Sequence, residues 1–388
     1  MLPVLATIAF LLGLGLGLAP AKAIETAAKE AFLVDFETGA VLFEKNADTP
    51  MPPSSMSKLM TIFMVFEHLR DGSLSLDDQL PVSVKAWRKG GSKMFVREGD
   101  NVTVEDLIHG VIVHSGNDAC IVLAEGLAGS EDAFAEAMTL RAHELGLENS
   151  FFKNSTGWPD PEHMMTARDL ALLAELTIRE FPQYYHFYAE KSFQYGKGMK
   201  AQPNRNPLLY KPRLKADGLK TGHTEAGGFG ITASAEKDGR RLIMVLNGMS
   251  SIKERAKESE RILEWGFREF NNYNLFTAGE TVTQADVWLG AAPTVPLVIN
   301  QNLIITLPRK ARRGMVAKVI YNEPIPAPVT QGDKLARLII TAPDSDPIEI
   351  PLYAGAGVAR LGSLGRIQAA LGYLLWGSLV ISEPQGSN

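Results

Sequence analysis

The sequence predicts an α/β domain of the α+β kind, with helices packed on one antiparallel sheet, followed by a small all-β sandwich and a C-terminal amphipathic helix. Three observations carry this. Strand-like runs stand at both ends of a helical middle over residues 24–273, the pattern turns to short β-type runs from residue 274, and a helical apolar stripe closes the chain. A length of 388 residues has room for two or three domains of about 150 residues each.

From the N-terminus, Leu2 to Pro20 is almost wholly apolar and ends at Ala21-Lys22-Ala23, a small-x-small pattern, so residues 1–23 read as a secretory signal. Met1-Leu2-Pro3 lacks the usual leading cation, and an uncleaved N-terminal anchor is the other reading; both send the next domain across a membrane. Ala31 to Glu44 is a β-hairpin around Glu37-Thr38-Gly39. After Pro52-Pro53, the Met-rich apolar run Leu59 to Phe66 suits a helix buried on most sides. Helices follow at Val104 to Val113 and Asp118 to Leu127, with a polar break between them, then at Ser130 to Leu145 and Thr166 to Arg179. Strands are expected at Leu219 to Thr224, Gly230 to Ala235 and Arg241 to Leu246, the last two joined by Lys237-Asp238-Gly239, before a helix from Ile252 to Phe270.

The β domain, 274–355, is expected from Val282 to Trp288, Leu303 to Leu307, Val316 to Tyr321, Leu335 to Thr341 and Ile348 to Leu352, runs separated by Pro, Gly, Asp and Asn. In the segment 356–388, Leu361, Leu364, Ile367, Leu371, Leu374 and Leu375 recur at spacings of three and four beside the cations Arg360 and Arg366. That stripe fits a membrane surface or, alternatively, packing on the protein's own core; terminal position and positive charge favour the membrane.

Composition narrows the chemistry. With 45% hydrophobic and 21% charged residues the chain is globular, and 39 Lys+Arg against 44 Asp+Glu supply no basic field for nucleic acid. The single cysteine, Cys120, excludes an internal disulfide and a multi-cysteine zinc site, and reads as a small buried hydrophobe. There is no HExxH pair, P-loop or Rossmann fingerprint, so nothing supports a metal, nucleotide or other cofactor.

Three short motifs carry reactive groups. In Ser55-Met56-Ser57-Lys58 a hydroxyl and an amine share one helical face, a nucleophile beside a base if burial or a second cation keeps the amine neutral part of the time. Ser234 to Lys237 and Ser250 to Lys253 have the same spacing but not the helix start behind Pro52-Pro53. Ser115-Gly116-Asn117 lies in the break between two helices, where these residue types also make ordinary turns. Lys220-Thr221-Gly222-His223-Thr224 lies on a strand, with Lys220 offering charge and Gly222 leaving room for a substrate backbone; an ordinary edge strand has the same look.

Their order and spacing, with Pro53 to Thr61, His114 to Cys120 and Asp217 to Thr224 around them, resemble the low-molecular-mass penicillin-binding proteins that are serine-type D-alanyl-D-alanine carboxypeptidases. The resemblance covers nearly the whole chain. It implies a β-lactamase/transpeptidase-like domain with a five-stranded antiparallel sheet and helices on both faces. It also implies that Ser55 is acylated, Lys58 is its general base and Ser115 relays a proton. Asn117 would bind the substrate amide, Lys220 would supply positive potential, and Thr221 and Thr224 would receive the terminal carboxylate. The N–H groups of Ser55 and His223 would form the oxyanion hole, Gly222 would lie under the substrate, and Arg255 resembles the family's arginine near the carboxylate. Arg205 is a weaker candidate. The expected partners are peptidoglycan stem peptides ending in D-Ala-D-Ala, β-lactams and a membrane surface; the expected place is the periplasm, on the outer face of the inner membrane. A serine β-lactamase is one alternative, though no ExxLN sequence stands between the second and third motifs, and a non-catalytic penicillin-binding sensor or scaffold is another.

Overall fold

The computed structural model describes residues 24–196, 198–343 and 345–376; the expected signal segment lies outside them. The first domain is built on a five-stranded antiparallel sheet. Its strands are β1 (Glu30–Asp35), β2 (Val41–Lys45), β3 (Ala216–Thr224), β4 (Gly228–Lys237) and β5 (Arg240–Met249), in the order β2-β1-β5-β4-β3. The first hairpin closes where Asp35 Oδ1 accepts hydrogen bonds from the backbone N–H groups of Glu37 and Thr38. The β4–β5 hairpin turns through Asp238 at φ 54° and Gly239 at φ 77°, the left-handed pair that matches the strands' twist.

Alternation along the central strands buries both faces. Phe32, Val34, Ile243 and Val245 join the larger core beneath the helical region, while Ala31, Leu33, Leu242, Met244 and Leu246 pack with Ile262 and Leu263 on the other side. The helices are α1 (Lys58–Asp71), α2 (Val84–Arg88), α3 (Val104–Ile112), α4 (Asn117–Ala128), α5 (Glu131–Glu144), α6 (Ala167–Glu180), α7 (Ile252–Glu269) and α8 (Ser363–Trp376). Thr103, Ser130, Thr166 and Ser251 cap α3, α5, α6 and α7, each side chain accepting an N–H of the first turn. As expected, α1 is buried on almost every side, from Lys58 through Phe66, and each fully buried Leu or Phe there stabilises the domain by about 1.5–3 kcal/mol.

The second domain begins at the strand Phe270–Phe276, which pairs with Leu303–Pro308, a few residues before residue 274. Its Asn-rich stretch has low strand propensity and carries no strand signal in the sequence. A six-stranded sheet completes the sandwich, and it includes Thr294–Val298, whose Pro296 hid it from the pattern. Within the first domain Arg240 forms a buried ion pair with Asp35 at 2.7 Å, and this pair reaches the second domain through Asn272. Arg240 also donates to Asn272 Oδ1 and to the Phe270 carbonyl, and Asn272 Nδ2 donates to Asp35.

On α8 the side chains of Leu364, Ile367 and Leu371 are exposed and do not pack on the protein's core. Among the described residues no helix is long and apolar enough to cross a membrane.

Candidate active site

Ser54–Ser57 forms a single 3₁₀ turn that runs directly into α1. In 3₁₀ geometry positions i and i+3 eclipse, so Ser55 and Lys58 are stacked more closely than on an α-helix. Lys58 Nζ lies 2.9 Å from Ser55 Oγ and donates to Asn117 Oδ1 at 2.8 Å and to the Thr156 carbonyl. Ser55 is half-buried, and Lys58 is fully buried. Burial pushes the Lys58 ammonium down to about 8, with the nearby charges of Arg205 and Lys89 adding to the effect.

The second motif sits at the junction of α3 and α4. Ser115 has φ 59°, a left-handed conformation uncommon outside glycine, and its hydroxyl meets Lys220. The turn is fixed by its neighbour: the buried Asp118 carboxylate accepts N–H bonds from Met94, Phe95 and Val96, tying the preceding loop to the start of α4. Asn117 Nδ2 donates to the Gly90 carbonyl at 2.8 Å. With Oδ1 receiving Lys58, the amide is held at both ends and keeps one N–H and one lone pair free.

The third motif lies on β3, the edge strand of the sheet. Lys220 Nζ is 2.9 Å from Ser115 Oγ, and burial, then the Lys58 charge, lowers its pKa well below the usual lysine range. Gly222 has a packing task in addition to the expected one. A Cβ there would lie 2.8 Å from the Pro53 carbonyl and 3.1 Å from Ser54 Cβ, so its missing side chain lets β3 press against the 3₁₀ turn. Thr224 lies on the same side, its hydroxyl 3.0 Å from Ser54 Oγ and accepting the Gly227 N–H. Thr221 is buried, and the exposed His223 ring stacks on Phe229 at 3.9 Å.

Arg255, in the N-terminal part of α7, is buried, with its guanidinium 6.0 Å from the Phe229 ring centroid and Nη2 donating to the Arg205 carbonyl. Burial, helped by the Arg205 charge, lowers its pKa to about 10. Arg205 in turn donates to Ser92 Oγ at 2.7 Å, and its charge acts on Lys58, Lys220 and Arg255. The structure therefore brings together two hydrogen-bonded sets, Ser55–Lys58–Asn117 and Ser115–Lys220, joined through the turn that carries both Ser115 and Asn117, with Arg205 and Arg255 acting on them by charge.

Two contributors had no sequence signal strong enough to mark them. Thr156 acts through its carbonyl, which any residue has, and is held by Asn154, whose Oδ1 accepts the Thr156 N–H and the Trp158 N–H. Gly157, at φ 74°, passes so close to the Ser54 carbonyl that a Cβ would come within 1.9 Å of it. Cys120 is fully buried beside the site, and burial pushes its thiol up to about 12, so it stays a neutral, inert filler. Among the described residues no group of His, Cys, Asp and Glu could hold a metal ion.

An amine of lowered proton affinity beside a hydroxyl, with cations around a strand edge, is suited to acyl transfer on a substrate that carries a carboxylate. Comparisons agree. Residues 18–251 match the sequence profile of the D-alanyl-D-alanine carboxypeptidase family, and residues 270–360 match that of the penicillin-binding protein 5 C-terminal domain. D-alanyl-D-alanine carboxypeptidase DacC of Escherichia coli is 36% identical over 347 residues, 88% of this chain and 86% of that protein. Penicillin-binding protein 5 of Haemophilus influenzae superposes with a TM-score of 0.78 at 32% identity, covering 88% of this chain and all of that one. Penicillin-binding protein D2 of Listeria monocytogenes, solved with ampicillin bound, has a TM-score of 0.58 at 28% identity over 64% of this chain and 100% of its own.

Proposed function

Because this chain belongs to the D-alanyl-D-alanine carboxypeptidase family, we propose that its activity, the removal of the terminal D-alanine from peptidoglycan stem peptides, runs through an acyl-enzyme on Ser55. The protein is a serine hydrolase of the penicillin-binding class, and β-lactams acylate the same group. The observation that carries Ser55 as nucleophile is the 2.9 Å separation from Lys58 Nζ, an amine that burial keeps partly neutral.

Neutral Lys58 takes the Ser55 proton as Oγ attacks the carbonyl of the penultimate D-alanine. The backbone N–H groups of Ser55 and His223 receive the oxyanion. Ser115, beside Lys220, relays the proton taken up by Lys58 to the departing amine as the C–N bond breaks, so D-alanine leaves and Lys58 is neutral again. Water then attacks the Ser55 ester with Lys58 again as base, releasing the shortened peptide. Lys220, Thr221 and Arg255 hold the terminal carboxylate, with Arg205 adding positive potential. Asn117, already anchored by Lys58 and Gly90, uses its remaining N–H on the substrate amide. Thr224 receives the carboxylate beside Thr221 and also holds the nucleophile's turn through Ser54.

The same reading puts the enzyme in the periplasm after loss of residues 1–23, with α8 resting on the outer face of the inner membrane. Support comes from the exposed Leu364, Ile367 and Leu371 and from the cations Arg360 and Arg366.

The test is Ser55→Ala. The folded variant should release no D-alanine from a stem pentapeptide and form no covalent adduct with labelled penicillin. An adduct on that variant would assign the nucleophile elsewhere.

A further inference from the structure

His114 directly precedes Ser115, and the reaction makes no use of its imidazole. The residue is 2% exposed and meets two short antiparallel strands, Ser192–Phe193 and Gln202–Pro203. His114 Nε2 donates to the Phe193 carbonyl at 2.8 Å, and its ring is tilted against the Phe193 ring with centroids 5.2 Å apart. A carbonyl can only accept, so the proton of the neutral ring sits on Nε2. Nδ1 is buried without a partner, and a second proton there would be a buried donor with no acceptor. The contact therefore requires the neutral imidazole. Burial lowers the ring's pKa below the usual histidine value, which keeps that form near neutral pH. Asp118 on α4 favours the proton, whereas Arg205 and His109 on α3 oppose it. His109 also stacks on Phe193, at 4.8 Å, with its Nδ1 2.8 Å from Glu190 Oε2.

The chain beyond these strands leads to the active site. Asn204 N donates to the Lys191 carbonyl and Asn204 Nδ2 to the Glu190 carbonyl, closing the base of the strand pair. Arg205 follows, tied to Ser92 through its side chain and to Arg255 through its carbonyl. Asn206 Nδ2 then donates to the Gly218 carbonyl on β3, two residues before Lys220. One strap of chain thus joins β3 and the Arg255 helix to the turn that carries Ser115, and His114 is its tie at that turn. Ser115 needs such a tie, because a left-handed serine persists only where its surroundings over-determine it. Asp118 fixes the turn from the α4 side and His114 from the strap.

We propose that His114 is a positioning residue for acylation: its bond to the Phe193 carbonyl holds the Ser115 hydroxyl at Lys220 and, through the strap, Arg205 beside the cleft. This assignment rests on Ser115 being the proton relay of a D-Ala-D-Ala peptidase. Protonation on the acid side breaks the tie, since the charged ring is driven toward water.

The test compares His114→Phe, which keeps an aromatic ring but has no donor, with His114→Gln, which keeps a side-chain N–H. Measured on a D-Ala-D-Ala peptide, kcat/KM reports the steps through acylation. It should fall about tenfold in His114→Phe, the scale of one lost hydrogen bond, and stay within about twofold of wild type in His114→Gln. The pH profile supplies a readout that packing alone would not move. On the acid side of the usual histidine range, wild-type kcat/KM should fall by more than about tenfold per pH unit, because Lys58 and His114 then both take protons. His114→Gln should keep the single-proton slope there. Equal losses in the two variants, or equal acid slopes for wild type and His114→Gln, would overturn the assignment. If His114→Phe does not fold, the two slopes decide. Ser115→Ala separates the two failures: wild-type kcat/KM in that variant would remove the relay itself, whereas a large loss there with none in His114→Phe would remove only His114.

Discussion

The Lys220 ammonium stands 2.9 Å from the Ser115 hydroxyl, and two residues further along that turn the Asn117 amide oxygen stands 2.8 Å from Lys58. Two lysines, both buried, grip one turn from opposite sides. Neither forms an ion pair with a carboxylate among the described residues, so burial favours loss of a proton from both, helped at Lys58 by Arg205 and Lys89 and at Lys220 by Lys58 and Arg205. This arrangement keeps an amine available as a base near neutral pH while leaving net positive potential in the cleft.

Lys220→Gln separates the two roles of that charge. Without the ammonium, acylation by a penicillin should fall about 100-fold, the scale of a lost electrostatic contact in the transition state. Stability should not fall, because a buried ammonium without a counter-ion carries a desolvation cost that the amide avoids. Thermal unfolding and acylation rates measured on the same preparation check this; a lower Tm with an unchanged rate contradicts it.

The pH dependence of acylation follows from Lys58. Below its pKa of about 8 the ammonium cannot accept the Ser55 proton, so the second-order rate constant should rise by about tenfold per pH unit and level off above about 8. Arg205 is one of the cations that lower the Lys58 pKa, so Arg205→Gln should move the midpoint to higher pH. A stopped-flow profile from about pH 6 to about pH 10 decides it, and an unmoved midpoint would remove Arg205 from the account.

Membrane attachment is checked by truncation before Leu361. The full chain should sediment with anionic lipid vesicles and the truncated chain should stay in solution, since the exposed Leu364, Ile367 and Leu371 are lost together with Arg366. Equal sedimentation of both forms would assign attachment to another surface.

Much of this was legible in the chain itself. Local rules were enough for the Asp238-Gly239 hairpin, for the caps at Ser130 and Thr166, and for a buried α1 directly behind Ser55 and Lys58. Each depends on residues a few positions apart, whose side chains compete for the same backbone groups or share one face. Motif order then pointed to the right chemistry, with reactive groups spread from Ser55 to Lys220. The strands Phe270–Phe276 and Thr294–Val298 were hidden because Asn and Pro disguise them, and only pairing with distant partners makes them strands. What the tertiary structure alone decided is the company each group keeps. Folding seals Lys58 from water against a carbonyl from Thr156 and presses Gly222 onto the turn that carries Ser55. Burial and close approach arise from segments far apart in sequence, and a proton affinity is set by that surrounding rather than by residue type.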